Sequence, residues 1–250
     1  MHLRFISREL IHSRGQGLVF VLCVALSCLT MVSVSSLGED IQRSVVLDGR
    51  SLHGGDLIIH SHYPFSQGLE REISKTLLLD GVKATRTWEF YSMARDVSGS
   101  KSLLASIKSV DGTYPLYGDV ELDSGRDLSE ALQPGTVVVG PTLLERMGLR
   151  VGDRLQLGAL ELKIGDIVRH ESSRPVEFFN FGPRIFVDKL DLDGLKLLSG
   201  GSRVRYEMLF RLQDDTSLQE VVSRLRAAAG PGEERIATFT ENRSPLKLFY

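Results

Sequence analysis

Two histidines, His60 and His62, have the spacing in this sequence best suited to chemistry. Residues two apart on an extended strand share a face, so this pair would present two imidazole ligands to a metal ion, with His53 close by in sequence. No cysteine or carboxylate cluster accompanies them, and imidazole pairs without further ligands bind metals poorly. The pattern therefore favours exposed histidines at a strand end, and we expect no metal and no other cofactor.

The sequence also lacks the motifs of common catalytic sites. It contains no Gly-x-Ser-x-Gly elbow and no His-Glu-x-x-His pair, and it has no Gly-x-x-x-x-Gly-Lys-[Ser/Thr] loop to cradle a nucleotide phosphate. The carboxylate pairs Asp214–Asp215 and Glu233–Glu234 lie in polar, turn-like stretches that are typical of a solvated surface. We therefore predict that the chain is not an enzyme.

Two further local patterns leave alternatives open. The aromatic run Phe178–Pro183 suits either internal packing, which is the commoner use of aromatic side chains, or contact with a lipidic substrate or a neighbouring protein part. Arg203 and Arg205 flank Val204 and would share one side of a strand, where they either bind an internal carboxylate or face a partner. The charge balance, 30 Lys and Arg against 32 Asp and Glu, argues against a nucleic-acid partner.

The most informative segment is residues 15–38, which contain no formally charged side chain. At about 1.5 Å per residue a helix of this length exceeds the roughly 30 Å of a bilayer's hydrocarbon layer. We therefore predict a transmembrane helix over 15–38. A cleaved secretory signal is the alternative, because Ser33–Ser35 is a small-x-small triplet, and it predicts a mature N-terminus near Ser36.

Charges on either side of this segment predict its orientation. Arg4, Arg8 and Arg14 precede it, whereas Glu39 and Asp40 follow it. Positive residues favour the cytoplasmic side, so the main domain is expected on the outer side of the membrane. Residues 1–14 have apolar and basic residues at helical spacing, which predicts a cytoplasmic amphipathic leader, and residues 39–55 are predicted to form a stalk.

Small polar residues recur within the predicted span. Ser27, Thr30 and Ser33 are three apart, which favours close approach of another membrane helix, although such hydroxyls also bond back to their own helix. Cys23 and Cys28, the only cysteines, are also in the span and are interpreted as small apolar fillers. The outer part must therefore fold by core packing without disulfides.

Beyond the span, the patterning predicts an α+β fold. Strands and short helices give a β-α-β-β succession over 56–119, and a strand, a helix and a strand follow over 201–243. The helix near the end is predicted to start with a capping box at Ser217–Glu220. The predicted elements outside the middle region are Asp56–His60, Ser66–Leu79, Lys83–Arg95, Ser102–Val110, Tyr206–Leu212 and Arg235–Thr240.

The region between these two parts has a different pattern of secondary structure. Thr136–Val139, Val151–Leu157 and Leu160–Gly165 read as closely spaced strands, with a short helix around Leu143–Met147. We therefore predict a mixed α/β lobe from 56–119 and 201–243, with a small β-rich lobe inserted at 120–200. Residues 244–250 lean apolar and are expected to begin a second, truncated span.

Four strings in this order behind one apolar span resemble the first part of an FtsX/MacB-type ABC transporter permease, in its large, duplicated YbbP-like branch. They are Val110–Gly118, Pro134–Gly140, Leu144–Gly158 and Gly201–Tyr206. The resemblance covers nearly the whole chain. It implies a bacterial inner-membrane protein with a periplasmic outer domain. It also implies that this domain has a mixed α/β lobe interrupted by a smaller β-rich lobe, which agrees with the insertion predicted from the residues.

The resemblance also implies a function. Such permeases work with a separate cytoplasmic ATPase, and many couple ATP hydrolysis to movements outside the membrane, including export or extraction of hydrophobic or lipid-linked molecules. The expected partners are that ATPase, further permease spans or a second permease half, and the lipid bilayer. The alternative is a single-pass receptor or adaptor whose outer domain only binds a ligand. Further apolar spans encoded after Tyr250 would favour the permease.

Overall fold

The computed structural model describes residues 18–33, 53–172, 182–198, 203–212, 215–230 and 232–239. The chain divides into two compact units, Met1–Asp48 and Gly49–Tyr250. The predicted leader 1–14, nearly all of the predicted stalk 39–55, Phe178–Phe181 and the predicted second span 244–250 lie outside the described residues.

The first unit contributes one described helix, α1, over residues 18–33. No helix in the described part of the chain combines the length and the apolar character needed to cross a membrane. Ser27 Oγ donates to the carbonyl of Cys23 at 2.8 Å, and Thr30 Oγ1 donates to that of Ser27 at 2.9 Å. These two hydroxyls therefore bond back to their own helix, and the span over 15–38 stays a prediction.

The second unit is built on one large mixed sheet. Its strands in chain order are β1 Leu57–Ser61, β2 Lys83–Asp96, β3 Ser102–Val110, β4 Val120–Leu122, β5 Thr136–Val139, β6 Arg154–Leu157, β7 Leu160–Glu171, β8 Arg184–Asp188, β9 Val204–Arg211 and β10 Arg235–Thr238. The helices are α2 Gln67–Leu77, α3 Leu128–Ala131, α4 Pro141–Met147 and α5 Asp215–Ala228, with a 3₁₀ turn at Lys189–Asp191.

The order of the strands in the sheet is β10-β1-β9-β2-β3-β8-β5-β7-β4, and β6 pairs with both β2 and β7. Pairs β3–β8 and β5–β7 are parallel, and all other pairs among the described strands are antiparallel. Strand β8 therefore joins β3 of the predicted outer lobe to β5 of the predicted insert. The lobe boundaries themselves stay a prediction.

Apolar side chains fill three clusters against this sheet. In the first, α4 packs on the residues of β2, β3, β5 and β8 that share one face, among them Phe90, Ile107 and Ile185. In the second, α2 and α5 cover β1 and β9 around Ile59 and Phe210. The third contains Phe186 and Val138, whose chain neighbours belong to the first cluster. Since successive strand residues point to opposite faces, the third cluster lies on the second face of the sheet.

Local sequence patterns predicted most of these helices and strands. Ser66 caps α2 by accepting from Leu69 N at 3.4 Å, and Pro141 starts α4 where no intrahelical donor is needed. The predicted capping box at Ser217 was wrong, because α5 already begins at Asp215 and Ser217 lies inside it. Strands β4 and β8 and helix α3 were not predicted.

Candidate functional site

The three histidines singled out in the sequence lie in and around β1. His60 is in β1, His62 follows that strand, and His53 precedes it. Burial lowers the pKa of His60, and Arg205, Arg235 and His62 lower it further, so the imidazole lies in a positive environment that repels a metal cation. Within the described residues, no three His, Cys, Asp or Glu side chains gather as metal ligands.

The second glutamate of the pair Glu233–Glu234 has a structural role. Its carboxylate accepts from Ser66 N and from Gly230 N, each at 2.6 Å. Glu234 therefore fastens the end of α5 to the start of α2, whereas Glu233 is exposed. Of the other pair, Asp214 and the side chain of Asp215 lie outside the described part of the chain.

The most unusual chemistry lies on the second face of the sheet, where four charged side chains come together. Lys108 is in the middle of β3, Glu171 ends β7, Arg184 begins β8 and Glu89 is in β2. We call these four residues with Ser106 and Tyr114 the ionic cluster. The side chains of Lys108, Glu171 and Arg184 are only 7%, 2% and 6% exposed.

Strand register explains why these residues meet. Glu89 lies opposite Lys108 across the β2–β3 pair, and Ser106 lies beside Arg184 across the β3–β8 pair. Paired residues point to the same face, and Ser106 and Lys108 are two apart on β3. These two residues, Glu89 and Arg184 therefore share the second face of the sheet. The backbone of Ser106 also donates to the carbonyl of Pro183 at 2.9 Å, which fixes the start of β8 against β3.

Lys108 and Tyr114 bind one oxygen of Glu171. Lys108 Nζ donates to Glu171 Oε1 at 2.8 Å and to the Tyr114 hydroxyl at 2.6 Å. The Tyr114 hydroxyl in turn donates to Glu171 Oε1 at 3.1 Å. This half of the cluster therefore connects β3, β7 and the loop after β3.

Arg184 binds the other oxygen of Glu171 and reaches β2. Its Nε donates to Glu171 Oε2 at 3.0 Å, and its Nη1 donates to Ser106 Oγ at 2.8 Å and to Glu89 Oε1. Ser106 Oγ donates to the same Glu89 oxygen at 3.2 Å. The planar guanidinium therefore joins two carboxylates that come from distant parts of the chain.

The charges of the cluster balance, and each stabilises its neighbours. Burial raises the pKa of Glu171, but Lys108 and Arg184 outweigh burial and lower that pKa to about 2. Burial lowers the pKa of Lys108, but Tyr114 and Glu171 outweigh it and raise that pKa above its usual range. Both groups therefore stay ionised at neutral pH.

The hydrogen bonds of the cluster give it a structural role. The hydroxyl of Ser106, for example, accepts from Arg184 and donates to Glu89. What the cluster can do is hold β2, β3, β7 and β8 in one fixed arrangement. Sequence reasoning missed it, and the only local signal was a lysine inside the apolar strand Ser102–Val110.

The structure bears on two of the alternatives that the sequence left open, those for the arginine pair and for the aromatic run. Arg203 and Arg205 are exposed, and neither lies within 4.0 Å of a described carboxylate oxygen, so they do not bind an internal carboxylate among the described residues. In the aromatic run, the described residues Gly182 and Pro183 lie against β3. The role of Phe178–Phe181 stays a prediction.

Comparison with known proteins agrees with this architecture. The family model of the MacB-like periplasmic core domain matches residues 18–228. The chain belongs to this family. A relative, the ABC transporter permease YbbP of Escherichia coli K12, is 26% identical over 200 residues. That alignment covers 79% of this chain but 24% of YbbP, so the chain spans about a quarter of its curated relative.

The fold of the MacB-like domain is also seen in a solved structure. The periplasmic region of MacB from Actinobacillus actinomycetemcomitans matches with a TM-score of 0.54 at 11% identity, covering 80% of this chain and 97% of that one. At this identity the match shows the fold alone. The mixed α/β architecture predicted from the sequence is confirmed, and the ionic cluster lies at the centre of a MacB-like domain.

Proposed function

We propose that this chain is part of the membrane permease subunit of an ABC transporter. In this proposal, ATP hydrolysis by a separate cytoplasmic ATPase drives movement outside the membrane, leading to export or extraction of a hydrophobic or lipid-linked substrate. The observation that carries the proposal is the family match over residues 18–228. The relationship to the permease YbbP supports it, and so does the absence of a nucleotide-binding loop from the sequence.

The architecture of the outer domain suits the transmission of movement. The continuous sheet and the ionic cluster link strands from the whole domain, from β1 near its start to β10 near its end. A unit held this way moves as a rigid body, because closely packed elements transmit displacement rather than absorbing it.

The coupling is tested by capture of the ATPase. Full-length protein, tagged and extracted from native membranes in mild detergent, is expected to retain an ATPase subunit that hydrolyses ATP. The matched control is the same tag on an unrelated inner-membrane permease. Recovery of the full-length protein without an ATPase, under conditions in which known transporters keep theirs, contradicts the proposal.

The topology is tested by a charge within the predicted span. Leu26→Arg is expected to disfavour insertion by about 2.5–3.5 kcal/mol, because arginine at the centre of a membrane helix loses its hydration. Protease added outside intact spheroplasts should digest the outer domain of the unaltered protein and of Leu26→Ile. It should spare the domain of Leu26→Arg. Equal digestion of all three would show that residues 15–38 do not direct the domain across the membrane.

A further inference from the structure

Three consecutive leucines at the end of α2 are exposed. Leu78 is 85% exposed, and Leu77 and Leu79 are 43% and 40% exposed. The other exposed residues of this helix are polar or glycine, namely Gln67, Gly68, Arg71, Ser74 and Lys75. A single exposed leucine is common on a soluble domain, but adjacent ones form an apolar patch that marks a contact surface. We call Leu77–Leu79 the leucine turn.

Backbone hydrogen bonds hold the leucine turn in a defined shape. Leu78 N donates to the carbonyl of Lys75 at 3.2 Å, and Leu79 N donates to the carbonyl of Thr76 at the same distance. The carbonyl of Leu79 in turn accepts from Val82 N at 3.4 Å, directly before β2 begins. The leucines are therefore presented by a hydrogen-bonded turn, and their backbone needs no further partner to leave water.

Strand register places the leucine turn at the end of the sheet where the chain enters β1 and leaves β10. Leu57, the first residue of β1, pairs with Thr238 of β10 and with Phe210 of β9. Phe210 also pairs with Ala84, near the start of β2. These four residues form one row across adjacent strands, so Ala84 lies about 14 Å from Thr238. The leucine turn directly precedes β2 and therefore lies at this end.

The proposed permease brings this end of the sheet close to the membrane. Its second span is predicted to begin at residue 244, six residues after Thr238, and six extended residues reach at most about 20 Å. The leucine turn is therefore within reach of the bilayer surface. By contrast, β2 leads away for 14 residues to Val97, which is 52% exposed and lies on the order of 40 Å from the leucine turn.

We propose that the leucine turn inserts into the outer leaflet of the bilayer and fixes the orientation of the outer domain on the membrane. This inference rests on the proposed membrane function. Lipid accepts apolar side chains without shape complementarity, and the polar backbone of the turn is already hydrogen-bonded. A turn of three residues is small against the roughly 20–30 residues that each partner contributes to a standard protein interface, which favours lipid as the occupant.

The test measures the depth of a nitroxide label on the full chain in lipid nanodiscs. The only cysteines are first removed by Cys23→Ala/Cys28→Ala, so that each label reports one introduced cysteine. Labels are attached at Leu78→Cys in the leucine turn, at Val97→Cys after β2 and at Leu26→Cys in the predicted span. Spin relaxation by oxygen, which concentrates in lipid, is compared with relaxation by a nickel chelate, which stays in water.

The labels at positions 78 and 26 are expected to relax preferentially with oxygen, and the label at position 97 with the nickel chelate. Adding Leu79→Asp should lower the lipid-inserted population at position 78 at least about tenfold, because burial of one leucine side chain contributes that much to partitioning. The matched control is Val151→Asp, an exposed apolar residue shortly before β6, which pairs with the far end of β2. It should leave that population unchanged.

The outcomes distinguish this inference from the proposed function. A nickel preference at position 78 together with an oxygen preference at position 26 overturns the inference alone. A nickel preference at both positions overturns the membrane function as well. A label at position 78 that is shielded from both reagents shows that a protein surface covers the leucine turn, and this also overturns the inference. Equal effects of Leu79→Asp and Val151→Asp do so too.

Discussion

Replacing Glu171 with glutamine is expected to lower the free energy of unfolding by about 3–5 kcal/mol. The change leaves the shape of the side chain intact but removes the charge shared by Lys108 and Arg184, both buried. The amide group would also turn a donor toward one of two side chains that can only donate. Urea unfolding of the full chain, followed by the fluorescence of its one tryptophan, Trp88, measures the loss.

The matched control removes a carboxylate from an exposed pair. Glu161→Gln, whose partner Arg154 lies at 3.7 Å, should change stability by less than about 1 kcal/mol. The double variant Lys108→Met/Glu171→Gln should lose less than the sum of its single changes, because it also removes the buried ammonium group that Glu171→Gln alone leaves without its carboxylate. Strict additivity would show that Lys108 and Glu171 do not stabilise each other.

The pH dependence of the same variants checks the electrostatic cause. The pKa of Glu171 is lowered to about 2, so its contribution to stability is complete above its ordinary value near 4.5 and is lost as the pH falls toward 2. Glu171→Gln should remove this part of the acid sensitivity. If the free energy of unfolding depends on pH between 4.5 and 2 in the same way in Glu171→Gln and in the unaltered protein, the acid sensitivity arises from other groups.

Replacing Gly158 with alanine is expected to cost about 3 kcal/mol or more. Gly158 is the first residue of the two-residue turn between β6 and β7, and its φ of 56° is unfavourable for other residues. A Cβ here would lie 2.1 Å from the carbonyl oxygen of Leu195. The backbone of Leu195 cannot yield easily, because that oxygen also accepts from Ala159 N at 3.0 Å.

Gly99 offers a control that separates strain from collision. Its φ of 70° is similar, but nothing lies within 4 Å of the position that a Cβ would take. Gly99→Ala should therefore cost only the strain of the left-handed backbone, about 1–2 kcal/mol. Equal losses at the two positions, measured by the same urea unfolding, would show that the contact with Leu195 contributes nothing.

The sequence patterns predicted elements well where a period ran for two turns of helix or more, or along a long strand. Ser102–Val110 was placed at its observed bounds, and α2 within a few residues of its ends. These segments have a repeating pattern that depends only on near neighbours in sequence. β8 has five residues and follows an aromatic run that gave no period, so its central place in the sheet had no local signal.

The ionic cluster could not be predicted from the sequence, for a related reason. Its charged members are separated by up to 95 residues, and their meeting depends on the parallel pairing of β3 with β8. No pattern in a single sequence encodes that pairing. The spacing of Arg203 and Arg205 indicated a shared side, but the position of Arg205 opposite Glu89 depends on the pairing of β2 with β9.

The position of β1 has a consequence for how the domain is made. Both neighbours of β1 in the sheet come from the last part of the domain, so the strand synthesised first has no partner until residues 204–238 arrive. Pairings this distant are slow to form, because a long loop must close before any contact rewards it. The sheet is therefore completed only after almost the whole domain has been synthesised. Until then, the apolar residues of β1 need protection from aggregation.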